Sequence, residues 1–212
     1  MKPEVRAWVA GLGGSDGTGS TAERVLGSTR GRLLDAYAEW LRQEGIPAGL
    51  LSPTEGGRIV GRHIEDSLSF LVGWPDMPPA TLHDVGSGGG LPGIPLGIVL
   101  PETHVVLVER SEKRAGLLRR AVRLLELGNV EILKGELEGL GNCEAIAMRG
   151  VLPPVRGVPW TESALRPGGV GVIGLSRRRD RDSEWAQLGG TVVEVQVLDP
   201  PGWLLIIRKR GH

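Results

Sequence analysis

The feature that most constrains this chain is the stretch LHDVGSGGGLPGIPL at residues 82–96. An apolar run ends there in Asp84-Val85 and passes straight into Gly86, Gly88, Gly90 and Gly93. Glycines spaced this way after a strand mark a backbone that turns through left-handed conformations and lets another group approach without meeting a side chain. Pro92 and Pro95 suit the first turn of a following helix, where a missing N–H costs nothing. The predicted unit is strand, glycine loop, helix. Its free helical N–H groups, at the carboxyl end of a parallel strand, point to a bound cofactor. A glycine-rich turn with no ligand is the plain alternative.

The rest of the chain fits around that unit. After Pro78-Pro79, short apolar runs at 81–85, 105–109, 130–133, 145–148, 170–175, 192–197 and 203–208 read as strands. Helical stretches at 94–99, 111–127 and 161–165 lie between them. Alternation of this kind predicts an α/β fold, a doubly wound and mostly parallel sheet with helices on both faces. The last two strands, joined by Asp199-Pro200-Pro201-Gly202, read as an antiparallel pair. By analogy this is the seven-stranded, Rossmann-like class I methyltransferase arrangement, assigned to 78–212. Upstream, Leu33, Leu34, Tyr37 and Leu41, then Ile59, His63, Ser67 and Phe70, recur at helical spacing. Residues 22–77 are therefore predicted to form a helical extension, preceded by a flexible segment, 1–21, that contains GLGGSDGTGS.

Composition narrows the classes of function. The charges balance, 25 basic against 25 acidic, so any surface for a polyanion must be local. The lone Cys143 excludes an intramolecular disulfide and a cysteine zinc cluster, and its apolar neighbours suit a packed thiol. No run of about 18 apolar residues is present, and the first ten residues do not read as a signal peptide. The expectation is a soluble, cytoplasmic, monomeric chain with no membrane partner and no metal.

The loop fits two ligand templates. Gly88, Gly90 and Gly93 match the dinucleotide pattern G-x-G-x-x-G. Asp84 with Gly86, Gly88 and Gly90 matches D-x-G-x-G-x-G, the pattern of methyl-donor sites. Register favours the second: a pyrophosphate loop should begin at the strand end, and the set that begins there has Leu91 where its third glycine belongs. Asp84 also suits a donor carrying a sulfonium and an ammonium group, and would repel a pyrophosphate. Glu109 ends the second strand about 20 residues on, where an acid can accept both ribose hydroxyls. S-adenosylmethionine is thus the expected cofactor, with a nicotinamide dinucleotide the remote alternative.

Read to Leu133, the segment beginning HDVGSGGGLPGIPL and continuing through VERSEKR closely resembles the bacterial 16S rRNA guanine-N7 methyltransferase family, RsmG, also called glucose-inhibited division protein B. The LPGIPL continuation followed by Lys113-Arg114, and the upstream Arg62-His63-Ile64-Glu65-Asp66-Ser67-Leu68, carry the resemblance. It implies that Gly86 and Leu91 hold the methionine end of the donor, Glu109 the ribose, and Leu137-Glu138 the adenine. It places Arg149 at the cofactor and substrate pocket and makes rRNA or the small ribosomal subunit the partner. Arg149 and His63 are the candidate catalytic residues. Guanine N7 already carries a lone pair, so in-line methyl transfer needs no general base and relies on positioning and electrostatics.

The chain departs from the family pattern at Gly49-Leu50-Leu51, at Met148-Arg149-Gly150-Val151, at Glu136 and at Ser176. These departures keep two alternatives open: a diverged paralogue acting on another RNA or a small molecule, and a non-catalytic remnant that binds donor or RNA. Arg119, Arg120 and Arg123 read as a solvated helix face. Arg177-Arg178-Arg179 with Arg181 is the better candidate for RNA, and Arg208-Lys209-Arg210 is a further basic stretch.

Overall fold

The computed structural model describes residues 29–74, 77–175, 191–195 and 202–211. The glycine-serine segment at 11–20, Ser176, the 177–181 arginine run and the 199–201 turn lie outside the described residues. Seven strands form one sheet in the order β3-β2-β1-β4-β5-β7-β6. They are β1 (Thr81–Val85), β2 (His104–Glu109), β3 (Val130–Lys134), β4 (Cys143–Arg149), β5 (Leu165–Leu175), β6 (Thr191–Val195) and β7 (Gly202–Arg208). β1 to β5 pair in parallel, and β7 runs antiparallel between β5 and β6. The expected doubly wound sheet is what the chain forms.

Period-2 alternation sorts the strand residues onto two faces. Leu82, Val105, Leu107, Ala145, Ala147, Val172 and Leu204 share one apolar cluster. Val85, Ile146, Met148, Ile173, Leu205 and Ile207 share the other. The first face is covered by α1 (Thr29–Trp40), α3 (Gly93–Val99) and α4 (Glu112–Leu124), the second by α5 (Pro154–Ala164). Each fully buried leucine or isoleucine on these faces contributes roughly 1.5–3 kcal/mol relative to exposure. Cys143 is buried there as a free thiol, and burial pushes its pKa up.

α5 is longer than the sequence reading allowed, because Pro154, Gly157 and Pro159 read as breakers. Pro154 occupies the first turn, where proline is tolerated, and Pro159 is accommodated inside the helix. Its buried residues Gly157, Val158, Thr161 and Ala164 recur at helical spacing and hold it on the sheet.

The N-terminal extension is helical but irregular. α1 runs into a wide π-type turn at Leu41–Gly45. A 3-10 turn at Pro53–Arg58 then leads through a second π-type turn, Ile59–Ile64, into the short α2 (Glu65–Leu68) and a closing 3-10 turn, Ser69–Gly73. Leu34, Tyr37, Trp40, Leu41, Ile59, Leu68 and Phe70 are buried in the same cluster as Leu82, Ile94 and Leu96. The extension therefore completes the core over the first face of the sheet. It also sits against the glycine loop.

Candidate active site

The loop after β1 begins where Gly86 N–H and Ser87 N–H both donate to the Val108 carbonyl, at 2.9 and 3.1 Å. Gly88 (φ +57°) and Gly90 (φ +85°) adopt the left-handed conformation that favours glycine. Gly93 has another reason to lack a side chain. A Cβ there would lie 2.2 Å from Leu107 Cδ2 and 2.5 Å from Asp84 Oδ2, so it sets how closely α3 packs on the sheet.

Alternation along β1 puts Asp84 on the α3 face, beneath the loop. It is 0% exposed. Oδ2 accepts the Gly93 N–H at 3.0 Å, while Oδ1 has no partner among the described residues. Burial pushes the carboxyl up to about 6, against the opposing pull of the Gly93 N–H, Ser87 and the Arg149 charge. The loop thus covers a carboxylate whose charge is only partly compensated.

Glu109 shares that face at the end of β2 and is 4% exposed. Its Oε2 accepts the Gly88 N–H at 3.0 Å and its Oε1 the Ser111 N–H at 2.8 Å. A carboxylate offers roughly four acceptor positions, so each oxygen retains one. Glu109 faces a cleft of about 400 Å³ at the carboxyl ends of the strands, lined by Gly86, Val108, Leu137, Glu138, Val151 and Leu152 among others. Two acceptors beside an apolar wall fit a ribose diol and a flat base.

Of the residues singled out from sequence, Gly86, Glu109, Leu137 and Glu138 meet at this cleft. Asp84 lies beneath the loop. Leu91 is buried in the core beside α3. Arg149, at the end of β4, turns toward the extension, where one guanidinium nitrogen meets Asp66 Oδ2 at 3.1 Å. His63 lies near it: Nε2 pairs with Glu55 Oε2 at 3.0 Å, and buried Nδ1 has no partner among the described residues. Burial first, then the Arg149 charge, lowers the His63 pKa against the opposing pull of Glu55.

Arg110, Arg114 and Arg156 also line the cleft; of these the sequence marked Arg114 alone, as part of the Lys113-Arg114 motif and without a place in the site. They are exposed, and no ion pair holds them among the described residues. Glu136 and Glu138 contribute acidic lining on the β3 side. By contrast, Arg119 pairs with Glu112 at 2.9 Å and Arg120 with Glu44 at 2.7 Å, consistent with the solvated-face reading of that helix. Lys113-Arg114 was visible as a motif. Arg156 carried no signal, because it lies in the part of α5 hidden by prolines.

Comparison with known proteins agrees with this architecture. The family model described as rRNA small subunit methyltransferase G matches residues 30–187. The chain is 35% identical to the ribosomal RNA small subunit methyltransferase G of Salinispora arenicola, covering 90% of this chain and 86% of that protein. It is also 35% identical to the protein of that name from Mycobacterium sp. (strain KMS), covering 89% of each. A methyltransferase from Geobacter sulfurreducens shares the fold with a TM-score of 0.57 at 16% identity, over 85% of this chain and 89% of that one. The chain belongs to the rRNA small subunit methyltransferase G family.

Proposed function

We propose that this protein transfers the methyl group of S-adenosylmethionine to N7 of a guanine in 16S rRNA of the small ribosomal subunit. The observation that carries the donor half is the cleft in which Glu109, fixed by two backbone N–H groups, keeps one acceptor position on each oxygen. Membership of a family whose relatives are named for small-subunit rRNA carries the acceptor half.

The chemistry that S-adenosylmethionine supplies when bound is an electrophilic methyl group on a positively charged sulfur. In this reading Glu109 holds the ribose hydroxyls, Leu137 and Val151 offer apolar surface to the base, and the Gly86 backbone lies against the methionine end. The partly compensated charge of Asp84 beneath the loop favours a cationic ligand above it. Guanine N7 brings its own lone pair, so the protein's task is to align acceptor and donor and keep water out. Arg149, with His63 and Asp66 beside it, borders the acceptor side in this reading.

A chain of zero formal net charge must meet a polyanion through local cations. The ones at the cleft mouth that have no acid partner among the described residues, Arg110, Arg114 and Arg156, support contact with phosphates flanking the target base. Small ribosomal subunits from cells lacking this protein provide the test. Incubation with the protein and labelled donor should yield 7-methylguanosine at one position, mapped by mass spectrometry. Absence of that product with subunits and with naked 16S rRNA would overturn the acceptor assignment.

A further inference from the structure

Gly88-Gly89-Gly90 has more backbone freedom to lose than any other tripeptide, and a donor that had to order it would bind weakly for that reason. Two separate elements and a bond within the loop hold the segment. Glu109 of β2 accepts the Gly88 N–H, and the Ser87 carbonyl accepts the Gly90 N–H at 2.7 Å. Between them, the Gly89 carbonyl accepts the phenolic O–H of Tyr37, which reaches across from α1, 52 residues earlier. Tyr37 is 0% exposed and stacks on Trp40, with ring centroids 6.0 Å apart and planes 13° from parallel. Leu50 and Leu41, also from the extension, approach the same glycine, since a Cβ on Gly89 would meet their side chains at 3.7 and 3.9 Å.

We infer that Tyr37 is a positioning residue of the donor site: its hydrogen bond to the Gly89 carbonyl fixes the glycine loop in its ligand-ready shape and makes the N-terminal extension a support behind that site. The inference rests on the reading that this loop holds S-adenosylmethionine. A phenol stacked on a buried indole has little freedom to turn away, so the carbonyl it holds cannot rotate while α1 is docked. Burial also keeps the hydroxyl protonated, hence a donor, throughout the working pH range.

Tyr37→Phe removes one oxygen and keeps the stack. S-adenosylhomocysteine titrated calorimetrically into the full chain should bind the variant roughly 3- to 10-fold more weakly, the worth of one buried neutral hydrogen bond. KM for S-adenosylmethionine should rise by a similar factor while KM for the small subunit stays within about twofold. Leu34→Ala separates positioning from packing: it removes a buried side chain of the same helix and lowers the melting temperature but leaves the hydroxyl and its stack in place, so donor affinity should hold. Equal donor affinity in folded Tyr37→Phe and wild type would overturn the inference, as would equal weakening in both variants. Should Tyr37→Phe fail to fold, hydrogen exchange on the wild type decides. Loop residues 86–91 should then open together with α1, and a loop that exchanges well ahead of α1 overturns the coupling. Failure of the wild type itself to bind S-adenosylhomocysteine would instead strike the donor reading, and the inference with it.

Discussion

At the residue scale, Asp84 sets stability against the donor-binding role proposed for it. Its ordinary pKa of 3.8 rises to about 6 in the folded state. Below 3.8 the carboxyl is protonated in both folded and unfolded chains. Between 3.8 and 6 the folded state keeps a proton that the unfolded state releases, so stability falls as pH rises. Above 6 the whole cost, about 3 kcal/mol, is present. Asp84→Asn can still accept the Gly93 N–H but cannot ionise. Denaturant unfolding at pH 4 and pH 7 should show the variant gaining about 2.4 kcal/mol on the wild type between those two values. A cationic donor favours the charged form, so wild-type donor affinity should rise from pH 5 to pH 7, and calorimetry should find the variant's flat.

Glu109 makes a sharper case. Each of its oxygens accepts a backbone N–H. Glu109→Gln places an amide NH2 against one of them, leaving a buried donor unsatisfied at a cost of about 1–3 kcal/mol. Donor affinity, measured by calorimetry, should fall roughly 10- to 100-fold.

At the element scale, the close approach of α3 to the sheet depends on Gly93. A methyl group there would overlap both Leu107 and Asp84. Gly93→Ala should therefore lower stability by about 1–3 kcal/mol and weaken donor binding together, because the helix start and the loop move as one. Thermal melting with and without S-adenosylhomocysteine reads both. The start of α5 raises a question about the acceptor instead. Arg156 lines the cleft mouth without an acid partner among the described residues. Arg156→Glu should raise KM for the small subunit several-fold and flatten its salt dependence by about one phosphate contact, leaving donor affinity unchanged. Unaltered salt dependence would place the RNA contact elsewhere.

At the scale of the whole molecule, what could be read in the sequence follows the range of the interactions. Asp84, the glycines and Glu109 stood out because a strand end, a left-handed turn and a helix start each leave a mark within a few residues. Even so, the sequence did not show that Asp84 would lie beneath the loop, or that Leu91 would pack into the core. Both outcomes depend on how deeply α3 settles on the sheet. Arg149 and His63 were recognised by resemblance, and the structure adds what they touch: Asp66 and Glu55, carried on the irregular extension. Arg156 was hidden because Pro154 and Pro159 masked the helix that bears it.

The sequence by itself determined the doubly wound sheet and the glycine loop after its first strand. Period-2 alternation, helical spacing and glycine's access to positive φ are local properties that any neighbourhood respects. Only the tertiary structure decided which groups meet: the Tyr37 hydroxyl with the Gly89 carbonyl, Asp66 with Arg149, and three arginines around one cleft. Helical periodicity tells which face of α1 is buried. The partner on that face depends on how the extension lies across the sheet, and that is settled by packing between residues far apart in the chain.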